Sequence, residues 1–430
     1  MRKMKAVILA AGLGIRMGEL AKGIPKCLIK VAGREILYRT MKLLEEQGIE
    51  EFIVVTNPHY MGKLKDFLEK NRFNYRILVN PYPEKGNGYS LYLSKNYVSG
   101  KFVLVMSDHI YEENFIKAAL KGEGIIVDKV GKFTNNEEAT KVKIKEGKIV
   151  DIGKNIEEYD AFDTGFFLLR PNIFDIAEKL LEKKEVLELT EVAKEARLKV
   201  TEVNGFFWMD IDTPEDVKKA KRLLIKNAVK DTGDGLVSRY VNRKISTRIS
   251  ELLVDYVEPF HMTFFSFLVG ISAGLLGLFN PPFAGIVYQV SSILDGVDGE
   301  IARSAMKKTR FGGYLDSILD RYVDFFVLWS LAIYMKPSPQ MWLIILLAIF
   351  GSFMVSYSTE RYKGEYFVSA YTSIPVLKYL IGKRDERVFM TMLLCLAGRL
   401  DILFFLLALI THLRVLVTVY LIWRKKETNS

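Results

Sequence analysis

From residue 5 to about residue 235, short apolar runs alternate with stretches of helical spacing. KAVILAA leads into a glycine loop, ILYRTMKLLEEQGI repeats apolar positions every three to four residues, and EFIVVTN, FVLVMSD, AFDTGFFLL and GFFWMDID read as further strands. Strand and helix in alternation predict an α/β domain with a mostly parallel sheet covered on both faces. Beyond residue 236 the pattern changes to long apolar runs such as MWLIILLAIFGSFMVSY and ILFFLLALITHLRVLVTVYLIW, which predict an all-α membrane domain. Six spans are expected, near 260–279, 282–302, 312–335, 340–361, 387–398 extended by the preceding VLKYLIG, and 401–423. Between the two regions lies the basic helix TPEDVKKAKRLLIKNAVK, followed by DTGDG, so the domains are expected at 1–230 and 231–430.

The stretch that opens the second region, GLVSRYVNRKISTRISELLVDYV, sets Leu236, Val237, Tyr240, Val241, Ile245, Ile249, Leu252 and Leu253 at helical spacing, with Arg239, Arg243, Lys244 and Arg248 between them. An apolar body with a basic flank suits an amphipathic helix at the membrane surface; packing on the α/β domain is the competing reading.

Charge sharpens this division. Residues 236–430 hold 21 Lys+Arg and 15 Asp+Glu of the chain's 61 and 51, so charge density falls by nearly half. The net charge is +10, and basic residues cluster in short loops beside the apolar runs, which argues for a membrane rather than a nucleic-acid partner. With six spans, RSAMKKTR, RYKGEY, KRDER and the tail WRKKETNS fall on one side, placing the N-terminal domain and the C-terminus in the cytoplasm of a multi-pass cell-membrane protein. Cys27 and Cys395 stand in different halves, which disfavours a disulfide framework, and KAVILAAGLG is too short and glycine-broken for a signal peptide. Three Gln residues amid abundant Lys and Glu tint the composition toward a thermophile.

LAAGLGIRM carries an apolar strand directly into Gly12-x-Gly14-x-Arg16, and PKCL supplies Lys26. Glycines let backbone N–H groups wrap a triphosphate, and Arg16 and Lys26 can neutralise charge on departing pyrophosphate. Residues 1–225 resemble the sugar-phosphate nucleotidyltransferases, Rossmann-like enzymes that join a nucleoside triphosphate to a phosphorylated sugar or alcohol. The resemblance implies Mg²⁺ or Mn²⁺ at Asp108 of VMSDHI and at Asp210 or Asp212 of WMDIDTPED. Asp212 has a second reading, as the cap of the helix starting at Thr213-Pro214. EKGNGYSLY, with Asn87, Gly88 and Ser90, resembles the base-recognition segment of cytidylyltransferases, and DTGFFLL, with Thr164 and Gly165, the sugar side of the pocket. His59 and His109 show no ligand spacing.

The membrane half concentrates acid where acid is costly: Asp295, Asp298, Glu300, Asp316 and Asp320 lie within 26 residues. Asp295 and Asp298 are three apart on one helix and Asp316 and Asp320 four apart on the next, so each pair points from one face. Four converging carboxylates would protonate unless cations compensated them, and two divalent ions would also clamp a diphosphate. The skeleton Asp295-x-x-Asp298-Gly299-x-x-Ala302-Arg303, then eight residues, then Gly312-x-x-x-Asp316-x-x-x-Asp320, resembles the signature of the CDP-alcohol phosphotransferases over about residues 235–424. That resemblance implies six transmembrane helices, a dimer formed through them, metal held by Asp295, Asp298, Asp316 and Asp320, and Asp320 as general base. It also implies nucleotide space at Gly299 and Gly312, phosphate or aspartate contact by Arg303, and acceptor-phosphate contact by Arg361 and Arg387. Glu300 reads as facing headgroups and Asp324 as a partner of Arg321.

Two-domain fusions in this order resemble enzymes that make CDP-inositol from CTP and inositol 1-phosphate. These then join it to a second inositol 1-phosphate, giving di-myo-inositol phosphate phosphate and CMP. The same folds would also serve a choline or glycerol phosphate donor, or a lipid acceptor.

Overall fold

The computed structural model describes residues 4–12, 14–229 and 233–428; Leu13 of the glycine loop, Asp231 and Thr232 of the DTGDG linker, and the last two residues of the tail lie outside them. The chain divides into two compact units, Met1–Lys221 and Arg222–Ser430, the division falling within the helix Pro214–Asn227.

The first unit is built on a nine-stranded mixed sheet. Its strands are β1 (Lys5–Ala10), β2 (Glu51–Thr56), β3 (Tyr75–Val79), β4 (Phe102–Met106), β5 (Gly124–Asp128), β6 (Lys141–Lys145), β7 (Lys148–Gly153), β8 (Ala161–Leu169) and β9 (Val200–Glu202). β1 runs parallel to β2 and β4, and β2 to β3, as continuous apolar strands covered by helices require. β8 is antiparallel to β4, β5 and β6, so the sheet is less uniformly parallel than the sequence pattern suggests. Apolar alternation fixes that a strand exists, whereas its direction follows from the connection. GFFWMDID also departs from expectation: Trp208–Asp210 pairs with His109–Tyr111 in a separate two-stranded ladder. Val7, Leu9, Ile53, Leu104 and Phe167 sit in the unit's main buried cluster.

The second unit is helical: α1 (Arg243–Leu253), α2 (Pro259–Gly277), α3 (Pro281–Ser304), α4 (Arg310–Met335), α5 (Pro339–Tyr366), α6 (Arg384–Leu396) and α7 (Leu400–Thr428). Helix starts follow local chemistry. Asn280 and Ser338 accept from Phe283 N–H and Met341 N–H ahead of Pro281 and Pro339, and Thr309 accepts from Gly312 N–H. The stripe Gly270, Gly274 and Gly277 brings α2 against Val323, Phe326 and Ser330 of α4, the close approach that small residues permit between membrane helices.

Among the described residues, three helices are long and apolar enough to cross a membrane: α2, α5 and Leu400–Lys425 of α7. The aspartate-bearing α3 and α4 do not meet that measure, nor does α6, which has 13 residues. The fifth expected span is not one continuous helix. Pro375 begins a separate short turn and Gly382, at φ 104°, breaks the chain before α6.

Candidate active sites

In the first unit the C-terminal ends of β1 and β4 deliver two parts of a site: β1 leads to the glycine loop and Arg16, and β4 to Asp108. The ladder beyond β4 pairs Asp210 with His109, bringing a distant acid beside Asp108. Lys26 Nζ donates to Asp108 Oδ2 at 2.7 Å and to Asp212 Oδ1, and stands 4.0 Å from Asp210 Oδ1. Arg16 Nη1 reaches Asp212 Oδ2 at 2.8 Å. His109 Nδ1 lies 2.8 Å from Asp108 Oδ1 and 4.0 Å from Asp210 Oδ1, its ring stacked on Trp208. Gly165 adopts φ +67°, and a Cβ there would come within 2.8 Å of the His109 ring, so this position excludes a side chain.

The electrostatics follow from these contacts. Burial opposes the Lys26 ammonium, but Asp108, Asp210 and Asp212 outweigh it and hold its pKa above the ordinary lysine range. Burial would lift Asp108, yet Lys26 and His109 keep it well below the usual carboxylate range. Burial disfavours the imidazolium of His109, and Asp210 with Asp108 overrides this, raising it to about 9. Asp210 goes the other way: desolvation lifts it to about 6 against the pull of His109.

Asp108, His109 and Asp210 each present one atom within 4.8 Å of the others. Asp210 Oδ1 is buried with no hydrogen-bond partner, the condition of a carboxylate oxygen shaped for a divalent cation. The residues therefore fit a metal, with Asp108 and Asp210 as oxygen donors and a protonated His109 orienting Asp108. Asp212 is not the helix cap. Thr213 and Asp216 form that cap, Asp216 Oδ2 accepting from Thr213 N–H at 2.8 Å and Thr213 Oγ1 from Asp216 N–H at 3.3 Å, which leaves the Asp212 carboxylate to Lys26 and Arg16. His109 belongs to no pattern of ligand spacing; its place beside Asp108 at a strand end is the signal the sequence carries for it.

A cavity of about 440 Å³ opens on this group, lined by Arg16, Asn87, Asp108, Gly165, Asp210 and Asp212 among others. Three expected contact residues face elsewhere. Thr164 Oγ1 donates to Ile126 O at 2.7 Å inside the sheet, Ser90 Oγ accepts from buried Asn80, and Gly88 N–H donates to Leu187 O at 2.8 Å. Alternation along β8 explains the first: if Gly165 faces the cavity, Thr164 faces the core. Gly12 is exposed, and Gly14, at φ +64°, lies against Lys26.

In the second unit, α3 and α4 bring one oxygen each of Asp295, Asp316 and Asp320 within 4.8 Å of one another. Asp298, on the same helix as Asp295, is buried and accepts a hydrogen bond from Thr263 Oγ1 of α2. Arg384 at the start of α6 is the cation this group shares most, 2.9 Å from Asp320, 3.3 Å from Asp295 and 3.0 Å from Asp324, and Arg321 adds a contact with Asp320 at 3.4 Å. Asp324 pairs with Arg321 at 3.9 Å, as expected, and has closer partners in Arg384 and in Tyr288, whose Oη donates to it at 2.7 Å. Several acids sharing one guanidinium are what a multivalent cation would relieve, and the acid set suits hard oxygen-seeking ions.

Arg303 lies over Gly299 and donates through Nε to Ala228 O, and Gly312 sits in the capped first turn of α4. Arg387 is buried, donating to Gly382 O at 2.8 Å and standing 3.7 Å from Asp324. Arg361 does not join it: the side chain is largely exposed and pairs with Glu365 at 2.7 Å. Glu300 does not face headgroups; it is fully buried.

Two family profiles match the chain, a MobA-like NTP transferase domain over residues 6–123 and a CDP-alcohol phosphatidyltransferase over residues 257–423. A "Bifunctional IPC transferase and DIPP synthase" from Aquifex aeolicus is 53% identical over 421 residues, 98% of this chain and 98% of that protein. Its namesake from Thermococcus kodakarensis is 52% identical over 425 residues, again 98% of each. Among solved structures, the inositol-1-phosphate CTP transferase from T. maritima is 29% identical, with TM-score 0.47, covering 51% of this chain and 96% of its own. A nucleotidyltransferase unit followed by a CDP-alcohol phosphotransferase unit, matched end to end, makes this chain a member of the bifunctional IPC transferase and DIPP synthase family.

Proposed function

We propose that residues 1–230 form a cytosolic cytidylyltransferase making CDP-inositol from CTP and inositol 1-phosphate. Residues 231–430 form a membrane phosphotransferase that passes the phosphoinositol group to a second inositol 1-phosphate. The observation that carries this reading is the convergence of Asp295, Asp316 and Asp320 in a chain that matches, over 98% of its length, relatives named for both steps.

In the first step a phosphate oxygen of inositol 1-phosphate bonds to the α-phosphorus of CTP, the bond to the bridging oxygen breaks, and pyrophosphate leaves. Lys26 and Arg16 place positive charge where the leaving group gains negative charge. Asp108 and Asp210 would hold Mg²⁺ or Mn²⁺, which when bound offsets phosphate charge. Asn87 and Gly165 line the substrate cavity.

In the second step Asp320 takes the proton of the attacking hydroxyl, whose oxygen bonds to the inositol-bearing phosphorus as CMP leaves. Asp295, Asp298 and Asp316, with Asp320, would hold two divalent ions, which when bound neutralise the acids and the diphosphate. Gly299 and Gly312 leave room for the nucleotide, Arg303 orients its phosphates or an aspartate, and Arg387 faces the acceptor. The helices α2 to α7 form the membrane unit with basic loops cytoplasmic, a reading supported by the apolar lengths of α2, α5 and α7 and by the charge bias, and two copies associate through it.

Incubating the purified chain with CTP, inositol 1-phosphate and Mg²⁺ tests this. Pyrophosphate, then CMP and a product with the mass of di-myo-inositol phosphate phosphate, are expected. Pyrophosphate without CMP would remove the second step. No turnover of inositol 1-phosphate, with turnover of another phosphoalcohol, would remove inositol.

A further inference from the structure

A carboxylate with no place in the chemistry above is the most enclosed acid of the helical unit. Glu300 is 0% exposed, two residues past Asp298 on α3. Its Oε1 accepts from Ser246 Oγ at 2.7 Å and Arg243 Nη1 at 2.9 Å, and its Oε2 from Ser250 Oγ at 2.6 Å. All three partners come from α1. Arg243 is itself held by Asp234, at 2.7 and 3.0 Å, and lies beside Gly296, where a Cβ would meet its Nη1 at 2.6 Å. One turn earlier, Asn242 accepts from Gln289 Nε2 of α3 at 2.8 Å.

These contacts invert the ordinary logic of an amphipathic helix. The inward stripe running from the turn before α1 into the helix is Asn242, Ser246 and Ser250, all buried, while Tyr240, Ile245 and Leu252 are exposed. A buried charge is tolerated only when hydrogen-bonded and paired, and breaking such a pair is costly. The α1 contact is therefore specific in angle, because Glu300 and Gly296, four residues apart, share one face of α3. Asp298, two residues from Glu300 and three from Asp295, belongs to the opposite side. A rotation of α3 that moved the aspartates would pull Glu300 from its three donors.

The same segment is fastened to the helix that carries Arg384. Ser238 N–H donates to Asp385 at 2.7 Å, Leu236 N–H to Glu386 at 3.1 Å, and Lys383 Nζ to Asp234 O at 2.8 Å. Residues 234–250 thus grip α3 and the start of α6, the elements that supply Asp295, Asp298 and Arg384.

We propose that Glu300 is a positioning residue of the membrane site: clamped by Arg243, Ser246 and Ser250, it sets the rotation of α3 and so the aim of Asp295 and Asp298 at the ions and the CDP-alcohol. This rests on the phosphotransferase reading given above. Partners that orient metal ligands typically contribute 10- to 100-fold in metal affinity or activity, so an effect of about tenfold or more is expected.

The test compares the full chain with Glu300→Gln, Glu300→Asp and the double variant Ser246→Ala/Ser250→Ala, which keeps the charge and removes only the two hydroxyls. Mn²⁺ binding is followed by the loss of the free-ion EPR signal. Sites in the first unit are common to all variants, so the difference reports on the second. KM for CDP-inositol is measured separately from kcat, and pyrophosphate release from CTP serves as the control on the first unit. Weaker Mn²⁺ binding by about tenfold and a raised KM in Glu300→Gln and the double variant, partly restored in Glu300→Asp, is the expected result. A fall in kcat alone, with Mn²⁺ affinity and KM as in the parent, would mean loss of folded protein and would overturn the proposal. If the parent releases no CMP from CDP-inositol, the phosphotransferase reading fails instead.

Discussion

Two acid clusters in one chain are compensated in different ways. In the first unit Asp108, Asp210 and Asp212 meet Lys26, Arg16 and an imidazole raised to about 9, leaving one buried oxygen of Asp210 without a partner. In the second, Asp295, Asp316 and Asp320 crowd within 4.8 Å with Asp298 on the same helix, and Arg384 is shared among Asp295, Asp320 and Asp324. A water-accessible site can bring its own cations and ask a metal only to complete it. A site among apolar helices carries more acid than its basic residues balance, so ions become part of what holds it together.

The widest separation of the two sites comes from removing one group in each. Asp320→Asn should lower CMP release by about a thousandfold, the scale of a lost general base, while pyrophosphate release continues and CDP-inositol accumulates by mass spectrometry. Lys26→Met should do the converse, lowering pyrophosphate release by about a hundredfold while CMP release from supplied CDP-inositol is unchanged. Equal loss of both steps in either variant would break the comparison.

Within the first unit, Asp210→Ala should weaken Mn²⁺ binding by roughly 10- to 100-fold. Asp212→Ala, which removes a partner of Lys26 and Arg16, should leave that affinity nearly unchanged and slow pyrophosphate release. Calorimetric titration of Mn²⁺ into the full chain distinguishes them, and equal weakening would make Asp212 a ligand.

The smallest effect concerns stability. Each unit contains one buried free cysteine, Cys27 in the first and Cys395 in the second, and burial with Asp108 nearby pushes the Cys27 thiol up to about 12. Thiol labelling followed by peptide mapping therefore reads the opening of each unit. Chelation should advance Cys395 labelling on heating more than Cys27 labelling, since an ion at a hundredfold excess over its Kd stabilises by about 3 kcal/mol. Equal shifts would mean the clusters lean on metal alike.

The membrane aspartates were legible because helical spacing fixes which residues share a face, and Asp295 and Asp316 needed only a reversal between α3 and α4 to meet. Arg384 was not, since a basic residue at a loop end looks the same whether it faces water or acid. Arg361 shows the opposite outcome for the same signal. The surroundings of Glu300 were not legible because its partners Arg243, Ser246 and Ser250 lie 50 to 57 residues earlier in the chain, where spacing along α3 gives no sign of them. In the first unit the glycine loop and Asp108 lie at strand ends where periodicity points and Lys26 was visible through PKCL, in a short turn, whereas the cap at Thr213 and Asp216 was visible as a T-x-x-D spacing that proximity to Asp212 obscured. The antiparallel course of β8 was not legible, because alternation has no direction.

The central claim is that the membrane acids are a metal-bound nucleotide site. Anomalous scattering from crystals of the full chain grown with Mn²⁺ and CDP-inositol tests it most directly. Two peaks bridged by Asp295, Asp298, Asp316 and Asp320, with the diphosphate beside them, are the predicted result. Nucleotide bound elsewhere, with Arg384 as the sole cation among these aspartates, would contradict it.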